Sequence, residues 1–201
     1  LTIIFTTFFF FLIWGLGIWK VYGEFSLETT EVTVSWFQIL NSFFIITLAS
    51  SFSKLWEKVW NPSGPVKFAL GLIFVAVGFF ALSYGSLSIP QGAKTATVSM
   101  IWLILAYFFH TLGELCLSPV GLSYVSKLSP KKFVGLLFGF WFTASAIANY
   151  IAGYTGAYID KISAMYSLST FFIIIAALPL SAALMLLLFN KKLVKMMHGI
   201  K

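Results

Sequence analysis

Glu114 stands inside a long apolar run, Val98 to Ser126, that holds no other acidic side chain and meets its first lysine at Lys127. A carboxylate near the middle of a bilayer costs about 2.5 to 3.5 kcal/mol on insertion scales, so it is kept where it faces a polar cavity and binds something. His110 and Ser118 lie four residues to either side, which stacks all three on one helix face. Gly113 and Gly121 fall on an adjacent stripe that admits a neighbouring helix. Pro119 withdraws a donor from the carbonyl of Leu115 and predicts a local kink, leaving an acceptor beside the carboxylate. This face suits the capture of a cation or a proton. Each residue also has a plainer role as an interhelical hydrogen-bond partner. That role fits His110 better than a proton relay, which would need a second acceptor, whereas an intramembrane acid is functional by default.

The elements that carry these residues follow from composition. Hydrophobic residues make up 60% of the 201 and charged residues 9%. The apolar material comes in blocks of about twenty residues, the length that crosses roughly 30 Å of hydrocarbon as a helix. The chain is therefore expected to be all-α and polytopic, with spans at 2–21, 33–54, 65–86, 98–127, 132–159 and 167–190. Phe68 to Leu82 and Phe171 to Phe189 are apolar on every face, which excludes the alternation of a membrane β-barrel. Asn61-Pro62-Ser63-Gly64 is a turn cluster, and Pro65 follows it at a first helical turn, where its missing N–H costs nothing.

Charge orients the bundle. Glu24, Glu28, Glu31 and Asp160 fall in the first and fifth joints, whereas ten of the thirteen lysines, Lys54, Lys58, Lys67, Lys127, Lys131, Lys132, Lys191, Lys192, Lys195 and Lys201, fall on the other side, with Lys20, Lys94 and Lys161 the minority. The lysine-rich side, with the C-terminus, is expected to be cytoplasmic. The net charge of +7 comes from lysines at helix ends, which points to the lipid bilayer as a partner and not to nucleic acid. One cysteine, two histidines and six acids scattered over different segments cannot supply a metal site of ordinary ligand spacing. P-loop and G-x-S-x-G patterns are missing too. No catalytic residue, metal or cofactor is expected, and the chain does not read as an enzyme.

The chain opens on Leu1 inside an apolar run without a basic n-region, so sequence upstream is expected in place of a signal peptide. Six helices are half of the common transporter plan in which two bundles face each other across a central site. A six-helix bundle N-terminal to this one is thus the expected partner.

At the fourth span the stretch Gly113-Glu114-Leu115-Cys116-Leu117-Ser118-Pro119-Val120-Gly121, continuing to Pro130, resembles the tenth-helix motif of the proton-dependent oligopeptide transporters, a family of the major facilitator superfamily. Trp36-Phe37-Gln38-Ile39-Leu40-Asn41 resembles the start of that family's eighth helix, and Phe140-Trp141-Phe142-Thr143-Ala144-Ser145 its eleventh. The likeness covers nearly the whole chain as helices seven to twelve. It implies that Glu114 holds a peptide amino group and gates against a lysine of the N-terminal bundle. Ser118 and Asn41 are implied to line the same pocket, Trp141 and Ser145 to shape side-chain space, and Trp14 to match a seventh-helix tryptophan. The family's Glu-Gln pair after that tryptophan is replaced by Ile18-Trp19, and its E-x-x-E-R proton-coupling signature falls outside this chain.

The expected function is symport of di- and tripeptides with protons as the coupling ion, by alternating access, across a bacterial inner membrane. Glu114 and His110 are its gating or proton-linked candidates. A transporter of the same fold for nitrate, a nucleoside or a drug, and a scaffold subunit that moves nothing, are the alternatives.

Overall fold

The computed structural model describes Leu12, Gly15, Leu16, Trp19, residues 34–91, Ala93 and residues 98–197. Contacts divide the chain into Leu1–Trp36 and Phe37–Lys201. In the first unit, Leu12, Gly15, Leu16 and Trp19 are helical, and the rest of the expected 2–21 span, Trp14 and Ile18 included, lies outside the described residues.

Every regular element among the described residues is a helix. The six longer ones are α1 (Val34–Lys54), α2 (Gly64–Gly85), α3 (Ile101–Leu128), α4 (Val134–Gly156), α5 (Ile159–Met165) and α6 (Leu168–Met196). Five stretches, Phe37–Val59, Gly64–Gly85, Ile101–Leu128, Lys131–Gly156 and Leu168–Met196, are long and apolar enough to cross a membrane. α1 runs on into a π-turn, Leu55–Val59, closed by the Trp60 N–H on the Leu55 carbonyl at 2.9 Å. α5 occupies the joint after α4, where the hydropathy pattern predicts only a polar connection.

Local chemistry sets the helix starts. The Ser63 carbonyl accepts from the N–H groups of Val66 and Lys67 at 3.0 and 3.1 Å, while Pro65 has no N–H to place. At the head of α6 the Ser167 hydroxyl accepts the Thr170 N–H at 3.1 Å and caps the helix. Pro119 and Pro179 both sit inside helices that continue through them.

α2 is the centre of the packing and lies against both α3 and α6. Towards α6 it is clasped at both ends by polar side chains. Ser83 Oγ lies 2.8 Å from Ser169 Oγ and donates to the Ser169 carbonyl at 3.1 Å, with both serines buried. Near the lysine-rich end, Ser63 Oγ donates to Asn190 Oδ1 at 2.7 Å. Such bonds are worth making inside a bilayer, where water offers no alternative partner.

Towards α3 the contact is between backbones. A Cβ on Gly71 would lie 2.9 Å from the Gly113 carbonyl oxygen, and one on Gly113 would lie 2.8 Å from the Gly71 oxygen and 2.7 Å from Val75 Cγ2. Only glycine fits this crossing. Gly113→Ala is expected to cost about 1 to 3 kcal/mol through overpacking, read as a lower midpoint of thermal unfolding in detergent.

α1 and α4 are held differently. α1 meets α3 through side chains, Phe37 over Tyr107 at 6.3 Å and Phe44 edge-on to Phe108 at 5.4 Å. α4 buries none of its residues among those described. Nothing lies within 4 Å of a Cβ placed on Gly135, Gly139, Gly153 or Gly156.

Candidate functional site

Asn41 and Glu114, from helices far apart in sequence, meet across the α1–α3 groove. Asn41 Nδ2 donates to Glu114 Oε2 at 3.2 Å. Each is delivered by its helix's apolar packing: the stacked and edge-on ring pairs at 37/107 and 44/108 bracket Asn41 along α1 and hold that face of α1 against α3. Glu114 remains exposed and Asn41 is half-buried, so the carboxylate has a fixed partner on one side and an open side on the other. A carboxylate held by one amide, with its remaining acceptor sites free, can take a cationic group with strong, charge-assisted hydrogen bonds.

Thr111, three residues before Glu114, completes the cluster and is not one of the residues expected from the sequence. Its side chain is 1% exposed, so its hydroxyl has to find partners within the protein. Thr111 Oγ1 lies 2.8 Å from the Tyr107 carbonyl and 3.0 Å from Asn41 Oδ1. The available signal was its spacing, since residues three apart on a helix are surface neighbours.

His110 goes elsewhere. Its ring packs against Phe79 at 4.7 Å, and a Cβ on Gly78 would lie 2.5 Å from its Cδ2, so the imidazole is wedged against α2 and not beside the carboxylate. Its Nε2 is buried without a hydrogen-bond partner among the described residues. Ser118 is half-buried one turn beyond Glu114. Ser145 Oγ is exposed and donates to the Trp141 carbonyl at 3.1 Å, the back-bond usual for serine in a helix. Trp14 lies outside the described residues.

Trp141 is half-buried and presses on α3 at Gly121, where its six-membered ring occupies the place a Cβ would take. It helps line a cavity of about 460 Å³ with Phe68, Gly121, Tyr124, Leu128 and Phe140. A second cavity, of about 410 Å³, lies among α1, the π-turn, α2 and α3, and its lining includes Phe52, Trp56, Glu57, Lys67, Pro119 and Lys127. There Lys67 Nζ donates to Asn61 Oδ1 at 2.7 Å and lies 5.2 Å over the Trp56 ring. Among the described residues no three histidine, cysteine or acidic side chains gather as metal ligands.

A family model described as the POT family matches residues 2–172. The chain is 40% identical over 154 residues to the uncharacterized transporter YclF of Bacillus subtilis, covering 74% of this chain and 30% of that protein. It is 37% identical over 163 residues to the peptide transporter YePEPT of Yersinia enterocolitica, covering 79% of this chain and 32% of that one. With a di-/tripeptide transporter of Lactococcus lactis it shares 30% identity over 175 residues, covering 86% and 34%. The crystal structure of a peptide transporter POT in complex with sulfate superposes with a TM-score of 0.66 at 35% identity, over 81% of this chain and 32% of that one. The chain thus spans about a third of the length of the curated relatives it matches.

Proposed function

Because the chain belongs to the POT family, we propose that it serves a proton-coupled symporter of di- and tripeptides as the bundle that receives the peptide's amino end. It is a multi-pass, all-α membrane protein with the fold of the major facilitator superfamily. The observation that carries the functional reading is the Asn41–Glu114 hydrogen bond, which joins two expected ligands from different helices while leaving the carboxylate open on its other side. Relatives bearing the names of peptide and di-/tripeptide transporters supply the substrate class.

In this mechanism Glu114 receives the peptide ammonium, Asn41 and Ser118 take further hydrogen bonds, and Trp141 and Ser145 shape the space for side chains. A short peptide is a zwitterion, so its carboxylate is received by basic groups of a second, N-terminal six-helix bundle. The two bundles rock about the midplane site. Without peptide, Glu114 pairs with a lysine of that second bundle, and substrate competes for the same carboxylate. Loading then loosens the gate. His110 is wedged against α2 and is assigned no step in this mechanism. The lysine-rich helix ends face the cytoplasm of a bacterial cell, with the C-terminus on that side.

The test is uptake of labelled dialanine into proteoliposomes holding the intact transporter, with and without an inward proton gradient. Gradient-stimulated uptake is expected. Folded protein that takes up no dialanine under either condition overturns the peptide assignment. A second outcome tests the side-chain pocket. Gly121→Ala fills the place of the Trp141 ring, so it is expected to lower uptake of peptides with bulky side chains several-fold more than uptake of dialanine, read as the ratio of kcat/KM values.

A further inference from the structure

Thr111 holds fewer protons than its contacts require. Thr111 Oγ1 stands within hydrogen-bond distance of two carbonyl oxygens, Tyr107 O at 2.8 Å and Asn41 Oδ1 at 3.0 Å. A hydroxyl has one proton and can serve one of them. Asn41 Nδ2 meanwhile donates to Glu114 Oε2 at 3.2 Å, which requires a carboxylate oxygen free to accept. In this arrangement Thr111 gives its proton to Asn41, and the Tyr107 carbonyl does without it.

Turning the Asn41 amide over exchanges nitrogen and oxygen, groups of nearly the same size, and yields a second complete set of bonds. The amide N–H then donates to Thr111 Oγ1, and the Thr111 proton goes to the Tyr107 carbonyl. The amide oxygen now faces Glu114 Oε2. Two oxygens at that distance are compatible only if one carries a proton, so this arrangement belongs to a protonated Glu114. A protonated carboxyl can still accept the amide N–H on its carbonyl oxygen, but turning the amide over then makes three hydrogen bonds within the cluster in place of two, so the first arrangement goes with the charged carboxyl and the second with the protonated one.

We propose that the Asn41 amide turns over with the protonation of Glu114 and that Thr111 is the positioning residue that couples the two, accepting in one state and donating in the other. The proton enters from solvent or substrate onto a Glu114 oxygen and leaves by the same route, and no other covalent bond changes. A charged Glu114 with the amide N–H turned towards it is competent for an ammonium ion. A protonated Glu114 bonded to the amide oxygen is not. Thr111, 1% exposed, has no water to substitute for either partner, which is why its hydroxyl can enforce the choice.

Among the described titratable groups of the helices around the cluster, Glu114 is the one hydrogen-bonded to Asn41. α1 has none between Phe37 and Ser53. α2 carries Tyr84 and Lys67, the latter engaged with Asn61 and Trp56 in the lysine-rich cavity. On α3, Tyr107 stacks with Phe37, His110 packs on Phe79, Cys116 is buried, and Tyr124 and Lys127 line the lysine-rich cavity. α4 carries Tyr150 and Tyr154, both exposed.

The inference deepens the peptide-binding reading, and only its second arm rests on it. In the first arm, infrared difference spectra between acid and neutral pH are recorded on the intact, peptide-free transporter with isotope-labelled asparagine carbonyls. A labelled amide band is expected to shift with pH, to vanish in Asn41→Ala, and to lose its pH dependence in Glu114→Gln. Absence of such a band in wild type overturns the proposal whether or not the protein binds peptides. The second arm measures dialanine binding against pH. Thr111→Val removes one bond from the charged arrangement and two from the protonated one, so half-loss of binding on acidification is expected about half a unit to one unit lower in pH. Thr111→Ser, which keeps the hydroxyl, is expected to match wild type. A Thr111→Val profile superimposable on wild type removes Thr111 from the switch, and Thr111→Ser shifting as far as Thr111→Val shows the effect to be packing, which also overturns the role.

Discussion

Replacing Glu114 by Gln is expected to abolish gradient-driven dialanine uptake, lowering kcat/KM by about two to three orders of magnitude while leaving the protein folded. Gln is nearly isosteric and can still accept the Asn41 N–H at the 3.2 Å found here, so the α1–α3 contact survives. What disappears is the charge. A hydrogen bond to a charged group contributes about 1.5 to 3 kcal/mol, and in the closed site of the proposed mechanism, stranding an ammonium opposite a neutral amide costs about 3 to 5 kcal/mol. At 1.4 kcal/mol per factor of ten these figures span roughly one to three and a half decades. Glu114→Ala loses the Asn41 contact as well and is expected to fall at least as far. Uptake of Glu114→Gln within threefold of wild type at subsaturating and saturating peptide would remove the carboxylate from the site.

The second large effect is expected from Asn41→Asp, which changes one atom group and no shape. It sets two carboxylates face to face with oxygens about 3 Å apart, where unit charges repel by about 5 kcal/mol at an effective dielectric of 20. Like charges this close share a proton, which raises the value at which one of the pair titrates. Below that value the pair holds one proton and one negative charge, the same arithmetic as amide plus carboxylate. Above it both are charged, and they push α1 from α3. Uptake by the variant, taken as a ratio to wild type at each pH, is therefore expected to fall as pH rises, an added limb on top of the dependence that proton coupling gives both. Asn41→Ala is expected to lose about tenfold at every pH, without the added limb. Coincident profiles for the two variants would show that the amide does not stand opposite a charged carboxylate.

The helices were legible because a bilayer permits little else: apolar blocks such as Phe68 to Leu82 and Phe171 to Phe189 declare themselves by length. The face of α3 was not. Residues four apart drift by about 40° around a helix and residues three apart by about 60° the other way, so His110 and Thr111 are both plausible companions of Glu114. Which one turns towards it depends on the neighbours. Phe79 and Gly78 take the imidazole to α2, and Asn41 takes the Thr111 hydroxyl to α1. Spacing within one helix carries no record of its neighbours. The glycine pairs teach the converse. Gly113, on the stripe expected to admit a neighbouring helix, makes the tight crossing with Gly71, whereas Gly135-x-x-x-Gly139 is bare. The short helix Ile159–Met165 is not legible either, because seven residues of mixed polarity show no period that distinguishes them from a loop.

α2, clasped by serines to α6 and locked backbone to backbone against α3, forms with them a stiff slab, while α1 and α4 adjoin it through side-chain tips. Mechanically, the slab is a chassis and the two outer helices are sprung panels. Compliance is concentrated at two of the proposed ligand positions, Asn41 on one panel and Trp141 on the other, while Glu114 rides on the chassis. A load applied to either panel can widen or narrow the groove over Glu114 by rotating aromatic rings, at the cost of dispersion contacts and not of helical hydrogen bonds. Amide hydrogen exchange should register the division as a gradient, slowest in the middle of α2 and faster across α1 and α4.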